Sequence, residues 1–489
     1  MKKVMLISPR MAGEAGGVNR LQPGLGLGYI AAMLEQEGFS VRVFDAALAG
    51  ESKDGFLGCS DGEAAAAIAD FGPDFVGITI PFSSAARDAY ALAKISKTAA
   101  PRAPVILGGA HSSGVLLDYS AGFGRGALEM AASGADYAMC GECDAAFGQL
   151  LGALSSGADA ASVPGAAAMR GGELRLSGKR PAADINSLPE PARHLMDMEG
   201  YFRHGKFHSS KSTGRRVLNV ITSRGCPENC FFCSTPSVWG RRLRLRNPAS
   251  VLAEISGAVS RYNIEEIQFE DDSLTASAEH INQLCSGLER LGLPWCTPNG
   301  IRADYQAKDR KALFSRMKRA GCYQITLACE SGSQRVLDGI IGKRLRAEEF
   351  RPAIDAAKEA GLFVHTFWMA GFPGETRAEM ELTAKTAAES GADSFSLAIA
   401  APLPGTPLYR MAEAQNLWWP GIDTRRAGNY RRSAIRADGF SGPEEFELWA
   451  DGLNAELNLN ARRQDPQRAK RRAAMVYDAK LAQSAVKQT

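Results

Sequence analysis

Residues 223–233 read SRGCPENCFFC. Cys226, Cys230 and Cys233 stand here at CxxxCxxC spacing, directly behind RVLNVITS (216–223), a β-branched run of strand length. A disulfide would leave one of the three thiols over. Ten cysteines in 489 residues, several in apolar settings such as QLCSGL and LPWCTP, do not make a disulfide scaffold. A structural zinc ion wants four ligands, and the residues from there through Trp239 offer no fourth Cys or His. Three thiolates suit a cubane 4Fe-4S cluster whose fourth iron has no protein ligand and stays open to a small molecule. The cluster is the favoured reading, with zinc as the alternative.

The stretch opens a series. IEEIQFED (264–271), WCTPNGI (295–301), CYQITLACES (322–331), LFVHTFWMAGF (362–372) and SFSLAIAAPL (394–403) each read as a strand, with helical patterns such as PASVLAEISGAVSRY between them. Six βα units predict a barrel or partial barrel, with chemistry at the carboxyl ends of its strands. The cysteine loop is then the first βα loop, at that end.

Upstream, KVMLIS (3–8), SVRVFDA (40–46), DFVGITI (74–80), PVILGGAHSSG (104–114) and DYAMCGE (136–142) alternate with helical stretches. That alternation predicts an α/β, doubly wound parallel sheet whose ligand sits beyond the carboxyl ends of the strands. The boundaries expected are 1–155 for this Rossmann-like domain, 156–215 for a linker, 216–410 for a partial (β/α)6 TIM barrel, and 411–489 for a mostly helical C-terminal cap.

Composition is that of a globular chain, 45% hydrophobic and 23% charged. A net charge of +3 makes no case for nucleic acid or a membrane surface. No apolar run reaches membrane-spanning length, and MKKVMLISPRM is read as a first strand rather than a signal peptide. Cysteine usage fits the cytoplasm. The cluster Arg462, Arg463, Arg468, Lys470, Arg471 and Arg472 is read as a solvated helix face, because no aromatics interleave with it.

With CxxxCxxC after the first strand and Phe232 before its last cysteine, the C-terminal half resembles the radical SAM superfamily. FEDDSLT (269–275), NGIRAD (299–304), ACESGSQRVLDGI (328–340), FWMAGFPGET (367–376) and APLPGTPLY (401–409) match it in order. The resemblance implies that Cys226, Cys230 and Cys233 hold the cluster and that S-adenosylmethionine (SAM) chelates the open iron. One electron would then cleave SAM to methionine and a 5'-deoxyadenosyl radical that takes hydrogen from a small-molecule substrate. An electron donor such as flavodoxin or ferredoxin is implied. Phe232 would lie against the adenine, lined also by Met369 and Gly371. Glu330 and Ser331 match the ribose position, and Arg302 is a candidate for the methionine carboxylate. FEDD replaces the family's glycine-rich GGE, so Asp271 and Asp272 are candidates for the methionine amino group, with helix capping as the plain alternative.

The N-terminal half resembles cobalamin-binding domains, and the order of the two halves resembles the cobalamin-dependent radical SAM branch. Thr79 stands at the Ser/Thr position after the third strand. Gly108 and Gly109 stand at the GG position, where a side chain would block the nucleotide tail. The Asp-x-His-x-x-Gly loop that supplies a lower cobalt ligand is absent; SPRMAGEAGGVNRLQPG takes its place without a histidine. His111, behind the GG pair, is placed near the tail, so cobalamin is expected without a His lower ligand.

Cys140 and Cys143 form a CxxC that reads as part of a turn, and Cys296 and Cys329 read as buried strand cysteines. Trp418, Trp419 and Tyr430 either shape a pocket or pack. The expected activity is a cobalamin-dependent methyl transfer to an unactivated carbon. A cyclase or rearrangement enzyme using the same cofactors is the alternative, and a non-catalytic cobalamin-binding protein is the third reading.

Overall fold

The structure, a computed structural model, describes residues 1–12, 20–50, 56–170, 173–177, 183–204, 207–209, 211–423 and 428–477. The middle (13–19) of the loop read for a lower cobalt ligand, the start of RPAADINSLPEPARHL and the end of the chain beyond Tyr477 lie outside them. The chain divides into two compact units. The first comprises Met1–Gly200, Phe231–Arg242 and Ala401–Ile435, and the second Tyr201–Cys230, Leu243–Ala400 and Arg436–Thr489.

The first unit is built on seven strands: β1 (Lys3–Ser8), β2 (Ser40–Asp45), β3 (Phe75–Thr79), β4 (Val105–Gly108), β5 (Tyr137–Met139), β6 (Ala166–Arg170) and β7 (Glu173–Leu176), in the order β2-β1-β3-β4-β5-β6-β7. The strands from β2 to β5 are parallel, and the order reverses at β1. A crevice therefore opens beyond the carboxyl ends of β1 and β3. Met5 and Ile7 pack on one face, and Val4 and Leu6 on the other. This period-2 alternation, with both sets apolar, is why the sheet is covered by helices on both sides. Helix α1 (Leu25–Gln36) lies on one face; α2 (Asp61–Phe71) and α3 (Ala86–Ala99) lie on the other. Each fully buried side chain of this size contributes about 1.5–3 kcal/mol.

Two expectations are corrected here. The segment read as a linker supplies β6 and β7, an antiparallel hairpin that extends the sheet. AAAMRGGELRL carries little strand propensity of its own; the edge of β5 imposes the extended form. The C-terminal cap is not one body, since Ala401–Ile435 belongs to the first unit and Arg436 onward to the second.

The second unit holds β8 (Val217–Val220), β9 (Glu266–Phe269), β10 (Trp295–Cys296), β11 (Cys322–Glu330), β12 (Phe363–Ala370) and β13 (Ser394–Ile399). They pair in chain order and all in parallel. The result is an open six-stranded arc rather than a closed barrel. WCTPNGI gives only two residues of continuous strand before Ile301 rejoins as an isolated bridge to Leu327. Helix α4 (Pro443–Gln464) closes on β13, where Asn454 and Asn458 exchange hydrogen bonds with the Leu397 and Phe395 backbone. Among the described residues no helix is long and apolar enough to cross a membrane.

Candidate functional site

The loop after β8 is held by buried polar groups. Asp271, 2% exposed beyond the end of β9, accepts from the Thr222 amide (3.0 Å), the Thr222 hydroxyl (2.8 Å) and the Ser223 hydroxyl (2.5 Å). Burial pushes its carboxyl up to about 6, against the pull of those donors. His280 reaches the same Thr222 hydroxyl at 3.0 Å, and burial lowers its imidazole to about 4, so it is neutral there. Asp271 thus fixes the stem of the cysteine loop and caps no helix; the helix that follows, Ala278–Leu291, is capped by Ser277.

Arg302 is engaged in the same work. Its Nε and one Nη bond Asp304 at 2.8 and 2.6 Å. The other Nη bonds Glu228 at 2.8 Å and the Lys343 carbonyl at 2.6 Å, and the Arg344 carbonyl takes the last N–H at 3.3 Å. All five guanidinium donors are occupied, leaving none for a methionine carboxylate in this arrangement. Glu228 lies inside the motif and also accepts from the Tyr305 hydroxyl at 2.7 Å. The loop between Cys226 and Cys230 is therefore fastened at its middle.

Beyond the fourth strand of the arc, Glu330 takes a left-handed backbone (φ 65°) at a register shift between β11 and β12. Its carboxylate accepts from Lys343 Nζ at 2.7 Å, and Lys343 donates also to the Ala328 carbonyl at 2.7 Å. The two side chains are 9% and 5% exposed. Burial works against the Lys343 charge, but Glu330 and the nearby Cys230 outweigh it and hold the ammonium above its ordinary range. Ser331 turns inward, to Thr383 at 3.0 Å and the Ser333 amide at 3.1 Å. Met369 is buried at the end of β12, and Gly371 (φ 88°) lies under Phe446, whose ring a Cβ would meet at 2.5 Å. Glu375 accepts from the Gly371 and Phe372 amides at 2.8 and 3.0 Å, and burial pushes its carboxyl up to about 7.

None of the ten cysteines, all among the described residues, is joined in a disulfide. Cys226, Cys230 and Cys233 are half-buried, and Ser273 donates to Cys226 Sγ at 3.3 Å. Cys285, Cys296, Cys322 and Cys329 are sealed, with thiols pushed up by burial. Among the described residues no three His, Cys, Asp or Glu side chains gather around one metal ion. Zinc would need its sulfurs about 2.3 Å from a single centre, whereas a cubane places each thiolate on its own iron. The half-accessible thiols fit the cluster.

In the first unit Thr79 and Gly108 sit side by side in register at the carboxyl ends of β3 and β4. A Cβ on Gly108 would meet no atom within 4 Å. On Gly109 (φ 94°) it would strike the Ile80 backbone at 2.7–2.9 Å. One glycine leaves space and the other makes the turn, which fits a ligand tail at this strand end. His111 bonds Tyr90 at 3.2 Å and Ser83 at 2.9 Å, and burial lowers it to about 4. Both ring nitrogens are therefore in use. The helix Ala110–Ser120 follows, with Gly114 against the Pro404 carbonyl and Asp118 bonded to the Gly405 amide (2.6 Å) and Arg410 (2.8 Å). APLPGTPLY, read as a barrel segment, therefore packs in the first unit. Phe232 and Cys233 are half-buried and belong to that unit too, as does Tyr430, whose hydroxyl is raised by burial and by Cys233. Trp418 and Trp419 are buried and pack. Cys140 and Cys143 donate to the Ser113 and Gly141 carbonyls.

Sequence reasoning missed Glu228, Lys343, Tyr305 and Glu375. Each acts through a partner distant in the chain or through a backbone amide. Only Glu228, lying inside the cysteine motif, carried a signal that could have found it.

An open parallel arc with three half-buried thiols in the loop after its first strand, and a doubly wound unit with a GG turn at the carboxyl end of β4, are two modules of the kinds the sequence resembles. Residues 220–387 match the Radical SAM superfamily and residues 18–151 the B12 binding domain. The chain belongs to the cobalamin-dependent radical SAM enzymes. It is 31% identical to cytidylyl-2-hydroxyethylphosphonate methyltransferase of Streptomyces wedmorensis, over 94% of this chain and 90% of that one. It is 32% identical to an uncharacterized methyltransferase of Pyrococcus horikoshii, over 85% and 84%. Among solved structures it shares its fold with the radical SAM methyltransferase TsrM of Kitasatospora setae, solved with cobalamin and a 4Fe-4S cluster. That match has a TM-score of 0.65 and 17% identity over 91% of this chain and 82% of that one. The two modules imply a 4Fe-4S cluster, SAM and cobalamin, and a reductant and small-molecule substrate.

Proposed function

We propose that this protein transfers a methyl group to an unactivated carbon of a small-molecule substrate. The observation that carries the reading is similarity along nearly the whole chain to a methyltransferase, including both cofactor modules. The cytidylyl-2-hydroxyethylphosphonate of that relative is the first substrate to try. When bound, the cofactors supply one-electron cleavage of SAM, hydrogen abstraction and a carrier for methyl.

The residues of the chain bind and orient. Cys226, Cys230 and Cys233 hold the cluster, in a loop that Asp271, Glu228 and Arg302 keep in shape. Arg302 is a positioning residue rather than a carboxylate ligand, and Asp272 is left as the candidate for the methionine amino group. Glu330, fixed by Lys343, faces the ribose, with Ser331 supporting its turn. Phe232, Met369 and Gly371 border the adenine. Thr79, Gly108 and Gly109 accept the cobalamin tail. His111, with both ring nitrogens engaged by Tyr90 and Ser83, would stay beside the tail, and cobalamin would be held without a histidine below it. The reductant is a flavodoxin or ferredoxin, and the protein works in the cytoplasm.

The test is anaerobic reconstitution with cobalamin, SAM and a reductant. Both 5'-deoxyadenosine and S-adenosylhomocysteine are expected. Deoxyadenosine with no S-adenosylhomocysteine would sink methyl transfer and favour cyclisation. Replacing any one of Cys226, Cys230 and Cys233 with Ala is expected to cut SAM cleavage by about 1000-fold or more, a loss above about 4 kcal/mol, with iron content falling alongside.

A further inference from the structure

At the amino ends of β11, β12 and β13, the end opposite Glu330 and Gly371, the second unit contains a cavity of about 1190 Å³. Seven basic side chains line it against three acidic ones. The acids are largely committed. Asp393 is gripped at both oxygens by Arg468, and Asp465 caps the last helix, Pro466–Met475. Among the described residues Lys211, Arg462, Lys470 and Arg472 form no ion pair with a carboxylate.

Arg472 is the centre of this arrangement. It is 8% exposed, held by Gln324 at 3.1 Å and the Lys211 carbonyl at 2.6 Å. Its guanidinium lies over Tyr323 (5.0 Å) and Phe363 (5.6 Å). One terminal nitrogen, Nη1, is buried with no hydrogen-bond partner. A buried guanidinium without its counter-charge is costly, and here its orientation is fixed before any ligand arrives. Lys211 faces Arg472 and Arg462, and burial and these like charges lower its ammonium. An anion between them would relieve both. The basic cluster read from sequence as a solvated helix face spans two helices, Pro443–Gln464 and Pro466–Met475, and turns two of its six cations inward, Arg468 and Arg472.

We propose that this cavity binds a phosphate-bearing small molecule, with Arg472 and Lys211 on the phosphoryl oxygens and Arg462 and Lys470 at the rim. Planar, prearranged guanidinium donors match phosphate oxygens, and four unneutralised cations suit two linked phosphates better than one. Within the second unit the site lies at the opposite end of the strands from the cysteine loop, and it is independent of the methyl-transfer reading.

The experiment is calorimetric titration of the full chain with pyrophosphate at low salt, with no SAM or cluster needed. Saturable one-site binding is expected, weakened at least tenfold in the rim variant Arg462→Ala/Lys470→Ala, which removes no buried group. Arg472→Lys keeps the charge and loses the fork, and is expected to weaken binding by a similar factor. Parallel titrations with orthophosphate and adenosine diphosphate separate the sources. Tighter binding of the diphosphate nucleotide than of pyrophosphate assigns a nucleotide, and equal binding assigns a free polyphosphate. No saturable binding of any of the three, or affinity unchanged in both variants, overturns the proposal.

Discussion

The two units prepare their cofactor ends by opposite means. In the first, side chains are missing where space is needed: Gly108 opens onto nothing within 4 Å, and Gly109 makes a turn that no other residue could make without striking Ile80. In the second, side chains are present and locked. Asp271 grips Thr222 and Ser223, Glu228 and Arg302 tie down the cysteine loop, and Lys343 neutralises Glu330 in a buried pair. The contrast follows from what each end must hold. A long nucleotide tail needs a groove and close backbone approach. A metal cluster and a small sulfonium cofactor need ligands fixed in place, which takes satisfied polar networks. Mutations should therefore divide: in the second unit, loss of a partner is costly, and in the first, gain of an atom is.

The largest effect on stability should come from Lys343→Met. It leaves the Glu330 carboxylate buried and unpaired, a loss of about 3–5 kcal/mol. Glu330→Gln in the same chain should recover a good part of it, because the stranded charge is gone. Denaturant unfolding of the two single variants and the double variant measures this. A double variant no better than Lys343→Met would mean the pair is not electrostatically coupled. Next comes the glycine pair. Gly109→Ala must hold a Cβ at positive φ against backbone, costing about 2–4 kcal/mol. Gly108→Leu should stay within about 1 kcal/mol of the parent in stability yet take up at least tenfold less cobalamin, read from the visible absorbance of the reconstituted protein. Normal uptake by that variant would break the comparison, since the space over Gly108 would then not be where the tail lies.

The sequence showed the parts whose signal is local. Helix Pro248–Tyr262 falls on PASVLAEISGAVSRY, the residues that periodicity marks, and CxxxCxxC and GG mark strand ends unaided. What stayed hidden depends on the third dimension. Nothing in IGKRL announces that Lys343 returns to Glu330, or that Arg302 closes on Glu228 across the intervening chain. A strand-end arginine has no visible partner until the chain folds, so NGIRAD does not show that Arg302 pairs with both Asp304 and Glu228. The hairpin of β6 and β7 was hidden because small residues and glycines become a strand only beside an existing edge. The basic tail misled in the same way, because charge pattern alone does not show which cations turn inward.

The subtlest test concerns Glu375, where both devices meet: a buried carboxylate holding the backbone of a glycine. One oxygen takes the Gly371 and Phe372 amides while the other, Oε1, is buried with no partner. Its folded value of about 7 lies above the ordinary 4.5, with burial the main cause. The neutral form is therefore the one the fold prefers. The stability this group contributes is fully present below pH 4.5 and is lost as pH rises to about 7. Glu375→Gln keeps an oxygen for the two amides and cannot ionise. At pH 5 the two proteins should unfold within about 1 kcal/mol of each other, because a glutamine amide and a protonated carboxyl leave the same buried position without an acceptor. At pH 8 the Gln variant should be the more stable by about 1–3 kcal/mol. The difference between the two curves isolates this one group from every other titration in the chain. Parallel curves from pH 5 to 8 would mean that Glu375 is ionised in the fold throughout, its charge carried by the two amides, and that the glycine turn after β12 is held by a carboxylate rather than by a carboxylic acid.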